Sequence, residues 1–401
     1  MLNVNKIRKR FPIYKNNKDL VYLDSAATAL KLDSVIDQEV YYYKNISANV
    51  HRGVYKNSYQ ATFLYEEARS KIANFINAKE EEVIFTKGTT DSLNKVARML
   101  EDSILEGDEI ITSELEHHSS ILPWMEIANK KKAKLVFIPL TKDNKITLNN
   151  FKKVLSSKSK VVAITHMSNV LGDLVDAKEI FSLAKDKNMY TILDCAQSIM
   201  HTKINVKELK CDFLGFSGHK MFGPTGIGIL FGKEELLNNL PPAEFGGEMV
   251  NQVFKNHATY KDAPLRLEAG TQNIAGAIGL AAAIDFIDEI GYENINKHIK
   301  FLRKYAINQM MNIDGITIYN QKSNGAMISF NVDGLHPHDS ATYLDQENVA
   351  VRAGHHCAQL VNNLLSVDAT LRVSLSIYNN KKDIDLFIDA LKKTINFFNG
   401  F

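Results

Sequence analysis

The 401-residue chain is 45% hydrophobic and 23% charged, with a formal net charge of +2. That is the mix of an ordinary globular enzyme, long enough for two domains, with no bulk attraction to nucleic acid or an anionic membrane surface. No apolar run approaches the about 20 residues of a membrane span, and Cys195, Cys211 and Cys357 are too sparse for a disulfide framework or a zinc site.

A reducing, cytosol-like compartment is therefore expected. Met1 to Lys6 carries no apolar secretion stretch, and an organellar protein stripped of its transit peptide would read the same. The basic stretch Lys6 to Arg10 reads as the solvated face of a short helix.

From about residue 21 to 231, short apolar runs alternate with amphipathic ones. The strand-like runs are Val83–Phe85, Glu109–Ile111, Leu135–Ile138, Val161–Ile164, Tyr190–Leu193, Phe213–Phe216 and Ile227–Leu230. Each is nearly continuously apolar, as for strands covered on both faces. Helical patterns lie between them at 62–76, 90–100, 148–155 and 178–187, the first with Phe63, Ala68, Ile72, Phe75 and Ile76 on one stripe. Such alternation predicts βα units around a mostly parallel sheet, whose ligands bind in the loops after the strands.

Those loops carry the chemistry. In the first, Thr86 to Ser92, small residues at a helix start aim N–H groups at an anion, and Thr89 and Thr90 add hydroxyls; a plain helix cap has the same composition. Glu116 to Ser120 follows the second strand. His117 there can stack on a flat ring and exchange protons near neutral pH, or belong to an ordinary polar loop. Asp194, ending a strand, suits a protonated pyridine nitrogen, although alone it would more often cap a helix. Lys220, in the loop Ser217 to Gly226, is placed to form a Schiff base with a carbonyl cofactor; a surface lysine in a glycine-rich turn is the alternative. A strand, not a helix, follows Gly223, Gly226 and Gly228, which argues against a dinucleotide site.

Near residue 270 the texture changes. Helices are predicted over 274–290, 292–311, 339–347 and 383–398, and strands over 316–319, 326–332 and 371–377, as in a smaller α+β domain. Val351 to Gln359 sets Cys357 beside His355 and His356 and near Arg352, a setting that favours thiolate. Cys195 and Cys211 lie in apolar strand contexts and read as buried. Arg372, inside an apolar strand, needs an anionic partner. A substrate carboxylate and a structural salt bridge are both open.

Taken in order, these segments resemble cysteine desulfurases of the SufS type, within the fold-type I pyridoxal phosphate (PLP) enzymes and their class V aminotransferase group. The likeness spans essentially the whole chain, from Tyr22–Ala27 and His51–Gly53 through Ser217–Lys220 to Arg352–Ala358. It implies an α/β fold with a large PLP-binding domain, residues 20–285, built on a mostly parallel seven-stranded sheet. It also implies a smaller α+β domain, residues 286–401, with segment 1–19 packed near it.

By motif, Lys220 resembles the PLP-linking lysine, Asp194 the partner of the ring nitrogen, Gln197 that of the ring hydroxyl and His117 the stacked histidine. Thr89, Thr90, Ser217 and His219 match the phosphate site. Thr271 matches a threonine reaching it from a neighbouring subunit, which implies a homodimer. Asn169 and Arg372 match substrate contacts, Arg352 lies beside the reacting cysteine, and Cys357 matches the persulfide carrier. The implied activity converts L-cysteine to L-alanine, with the sulfur passing from Cys357 to an acceptor protein for iron–sulfur cluster assembly in the cytoplasm. The alternatives are a selenocysteine lyase or another PLP-dependent β-lyase on the same fold, and a non-enzymatic sulfur-trafficking scaffold. The chain departs from many relatives at Cys195, Gln272 and Asp91.

Overall fold

A computed structural model describes residues 2–399. All seven expected strands of the main sheet form, in the spatial order Val83–Thr86, Gly228–Gly232, Phe213–Ser217, Tyr190–Asp194, Ser159–Thr165, Glu109–Thr112 and Lys134–Phe137. Gly228–Gly232 runs antiparallel to both neighbours, and every other pairing is parallel.

Because side chains alternate along a strand, this sheet feeds two cores. Phe85, Ile111, Val162, Ile164, Leu193 and Phe216 enter one. Ile84, Ile110, Val161, Ala163, Ile192 and Phe213 enter the other. Helices Thr89–Leu100 and His118–Lys131 contribute Leu93, Val96 and Trp124 to the second, while helices Lys56–Ile76, Ala177–Asp186 and Ile274–Ile290 line the first. Both faces are thus covered, except at the edge strand Lys134–Phe137, whose residues are only half-buried or exposed.

Phe63 departs from the expected stripe. Ala61, Tyr65, Ala68 and Ile72 form the buried face of helix Lys56–Ile76, and Phe63 is 67% exposed. Five residues from Ala68, it turns well away from that face at 100° per residue.

The C-terminal part contains a four-stranded antiparallel sheet ordered Ile316–Ile318, Met327–Val332, Thr370–Ser374, Arg352–Gly354. The last of these was read from sequence as a loop, because Arg-Ala-Gly carries no strand propensity; its pairing partner supplies the order. The exposed hairpin Val250–Val253 with Ala258–Tyr260 also lacked a sequence signal.

Two contacts tie in the N-terminal segment. Phe11 packs edge-on against Phe222, Phe286 and Tyr378. Arg8 pairs with the buried Asp383 and donates to the Tyr378 carbonyl, so one residue of the expected solvated face turns inward. Among the described residues no helix is long and apolar enough to cross a membrane.

Candidate active site

Five of the strands in the main sheet end on one edge, and the loop after each contributes to a single cavity of about 220 Å³. Val83–Thr86 delivers Thr89 and Thr90, Glu109–Thr112 delivers His117, and Ser159–Thr165 delivers Asn169. Tyr190–Asp194 ends in Asp194 and leads to Gln197, while Phe213–Ser217 ends in Ser217 and leads to His219 and Lys220. From the smaller sheet come Arg352, Cys357 and Arg372. All twelve line the cavity. The thirteenth expected residue, Thr271, does not. It is exposed, with Oγ1 3.5 Å from Asn49 Nδ2.

At one end the helix Thr89–Leu100 brings its N-terminus to the cavity, where the first amides have no partner within the helix. The Ser217 hydroxyl lies 2.7 Å from both the Thr89 amide and the Thr89 hydroxyl. The loop is pressed against the neighbouring strand. A Cβ on Gly228 would stand 2.4 Å from the Cα of Gly88, so only glycine permits the approach. Gly88 itself has φ +149°, where side chains are strained. This glycine-lined cradle of hydroxyls and amides suits a phosphate group.

Asp194 is buried and accepts from the Ala196 amide at 2.9 Å. Burial raises its carboxyl pKa, against the pull of that amide and of the Lys220 amine. A cationic partner such as a protonated pyridine nitrogen would offset the cost of its charge. The Lys220 amine is shifted the other way, lowered by burial and by Arg372 and Arg352 although Asp194 opposes this. A lysine that loses its proton more readily is the better nucleophile toward an aldehyde. Gln197 donates to the Ala26 carbonyl at 2.9 Å.

His117 departs from the neutral-pH proton carrier expected of it. Its Nδ1 accepts from the Ser119 amide and lies 2.7 Å from the Ser119 hydroxyl. Burial, and then the Lys220 charge, lower its pKa to about 3. The ring is therefore neutral at physiological pH, as stacking on a flat heterocycle requires. His219 is held down to about 4 by burial, Lys220 and Lys31.

Arg352 and Arg372 lie directly opposite each other in the antiparallel ladder, a juxtaposition of like charges that is destabilising by itself. Asp24 resolves it, at 3.2 Å from Arg372 and 3.8 Å from Arg352. The salt-bridge alternative for Arg372 is thus realised, but it does not use the whole guanidinium. One terminal nitrogen donates to the Asn169 carbonyl at 2.9 Å, while Nε, like Asn169 Oδ1, is buried with no partner among the described residues. Those two orphaned atoms, a donor and an acceptor in one cavity, fit a bound ligand carrying both a carboxylate and a donor group. Asp24 is the site residue that sequence reasoning missed. It stands inside Tyr22–Ala27, which had been singled out, but only the cross-strand pairing of the arginines gives it a task.

Cys357 is the exposed cysteine of the three, and Cys195 and Cys211 are buried, as their strand contexts predicted. With a phosphate cradle, a lysine amine and an acid that wants a cationic partner in one cavity, the donor set fits pyridoxal phosphate.

Residues 21–387 match the family model of the class-V aminotransferases. The chain belongs to that family. Relatives within it include a probable cysteine desulfurase of Halalkalibacterium halodurans, 47% identical over 99% of both chains. Another, from Staphylococcus aureus, is 48% identical over 99% of this chain and 98% of its own. Among solved structures, the S-sulfonic acid form of the Escherichia coli cysteine desulfurase CsdA superposes with a TM-score of 0.93 at 35% identity, covering 99% of each chain. The apo cysteine desulfurase of Thermococcus onnurineus reaches 0.94 at 39% identity, again over 99% of each. A NifS-like protein, 22% identical with a TM-score of 0.83 over 94% of this chain and all of its own, shares the fold.

Proposed function

We propose that the chain is a PLP-dependent cysteine desulfurase, converting L-cysteine to L-alanine and leaving the sulfur as a persulfide on Cys357. The single observation that supports this reading is the shared cavity, whose lining includes an amine of lowered pKa, an exposed thiol and two arginines. PLP would be held by Thr89, Thr90, Ser217 and His219 at its phosphate, Asp194 and Gln197 at its ring, His117 on its face and Lys220 at its aldehyde. Bound there, it supplies an electron sink for the α-carbon of the substrate.

The protein's own groups do the rest. Arg372 would hold the substrate carboxylate and Asn169 Oδ1 would accept from its donor group, fixing the α-carbon beside Lys220 Nζ. That amine, as the free base, would take the α-proton. Asp194 would hold a protonated ring nitrogen, a cationic partner that offsets the burial of its charge. Cys357 Sγ, as thiolate, attacks the substrate sulfur. The new S–S bond forms as the substrate C–S bond breaks, and the carbon fragment becomes alanine after taking up protons. Dividing one difficult displacement into transfer and later release is the gain of covalent catalysis.

The family reading extends to a homodimer completed by Thr271, to a separate protein that takes the persulfide sulfur for iron–sulfur clusters, and to work in the cytoplasm. It also divides the chain into a cofactor domain, 20–285, and a smaller domain, 286–401.

The experiment is an alanine and sulfide assay with cysteine on the Cys357→Ala protein. It should keep the yellow, borohydride-reducible chromophore and bind cysteine, yet fall by roughly 10²-fold or more in alanine formation. Normal turnover would remove the nucleophile assignment. Full turnover on selenocysteine by the same variant would favour the lyase.

A further inference from the structure

The turn that carries Cys357 is held in an uncommon shape. His356 and Cys357 have φ of +53° and +55° in succession, a left-handed backbone that residues other than glycine adopt only when their surroundings impose it. Upstream, the Asn169 carboxamide donates to the His356 carbonyl at 2.7 Å, and the His356 ring lies 2.9 Å from the Thr370 hydroxyl. Two further constraints come from one residue of the large sheet's own loops. The His118 amide donates to the Cys357 carbonyl at 2.7 Å, and the His118 ring accepts, through Nε2, the Gln359 amide at 3.2 Å.

We infer that His118 is a positioning residue for the reacting thiol, its main chain and its ring together fixing the turn at the Cys357 carbonyl and just beyond it. This deepens the desulfurase reading and rests on it. The ring can accept from Gln359 only while Nε2 carries no proton. Burial, and then His355, hold its pKa below the ordinary histidine value. The main-chain bond has a second consequence. His118 directly follows His117, whose ring faces the cofactor cavity. The turn bearing both is anchored from beneath by Glu116, a buried carboxylate that accepts the hydroxyls of Ser113 at 2.6 Å and Ser120 at 2.8 Å. The ring-facing histidine and the clamp on the thiol are therefore parts of one rigid turn, which sets the distance between the cofactor face and Cys357.

Two substitutions separate the acceptor from the bulk of the ring. His118→Phe keeps a flat side chain and removes the acceptor, whereas His118→Gln keeps an acceptor oxygen. The first readout is amide hydrogen exchange of the holo protein, which needs no turnover. The Gln359 amide should exchange on the order of tenfold faster in His118→Phe, with the fold and the cofactor absorbance unchanged, and His118→Gln should restore much of the protection. The second readout is kinetic. In His118→Phe, kcat should drop on the order of tenfold, since a small displacement of a reacting atom is costly, while KM for cysteine stays within about twofold because Arg372 and Asn169 are untouched. Unchanged Gln359 exchange in His118→Phe, or no recovery in His118→Gln, would overturn the inference. Because exchange is read without substrate, the clamp can fail while the desulfurase reading survives, and the reverse.

Discussion

The lysine amine at position 220 shows how burial prepares a side chain for chemistry before any ligand arrives. Burial lowers its proton affinity most, Arg372 and Arg352 add to the effect, and Asp194 only partly compensates. The neutral amine is the form that condenses with an aldehyde. Capture of PLP by the apoprotein should therefore quicken as pH rises, with a midpoint below the ordinary lysine value of 10.5, because the folded-state pKa is depressed. Stopped-flow absorbance between pH 6 and 11 measures this, and a midpoint at or above 10.5 would contradict it. Arg372 was suggested by a charge inside an apolar strand, Lys220 and Asp194 by their places at the ends of strands, and Cys357 by the histidines beside it. Such placements are visible in a sequence. The neutrality of His117 was not, since it depends on how deeply the ring is buried and on a lysine 103 positions away. Asp24 was equally hidden, because nothing along the chain announces that Arg352 and Arg372 will stand opposite one another.

The helix Lys56–Ile76 is fixed to the sheet edge by a buried ion pair. Arg69 binds Glu268 at 2.7 Å, both side chains being 1% exposed, and also donates to the Val83 carbonyl. Glu268 in turn accepts the Phe85 amide and the Tyr65 hydroxyl. Truncating one partner of such a pair strands the other charge in the interior, so Arg69→Ala should lower stability by about 3–5 kcal/mol. Urea unfolding of the holo protein tests this, and a loss under about 1 kcal/mol would mean that water reaches Glu268. Sequence could locate this helix but not its inward face with confidence in each residue, since a buried arginine and an exposed phenylalanine, Arg69 and Phe63, invert the usual pattern. The seven strands of the main sheet were legible for the opposite reason. Six of them, buried on both faces, have to be apolar at nearly every position, and the half-covered edge strand Lys134–Phe137 keeps Leu135, Val136 and Phe137. Arg352–Gly354 and the hairpin near residue 255 escaped notice because short, polar or exposed strands owe their order to a partner rather than to their own residues.

At the scale of the whole molecule, the phosphate end of the cavity is open from outside as well. There Thr90 and His219 also line a second groove with Lys87, Lys95 and Arg98. Thr271 lies away from both openings' linings, exposed and near Asn49. Several large apolar side chains, Tyr43, Val54, Tyr55, Tyr59 and Phe63, are exposed within one stretch of the chain around Asn49. In the proposed homodimer a two-fold axis would cover that stretch and bring each Thr271 to the other subunit's phosphate cradle. This makes a sharp prediction about mixtures. Thr271→Ala should lose activity at limiting PLP, and Lys220→Ala should lose it altogether. If Thr271 serves the neighbouring site, a mixed dimer of the two variants regains one complete site, with Lys220 from one chain and Thr271 from the other. Random re-pairing of equal amounts would then recover about a quarter of the wild-type rate, since half the dimers are mixed and each holds one good site of two. If Thr271 serves its own chain, no pairing assembles a complete site and mixing recovers nothing.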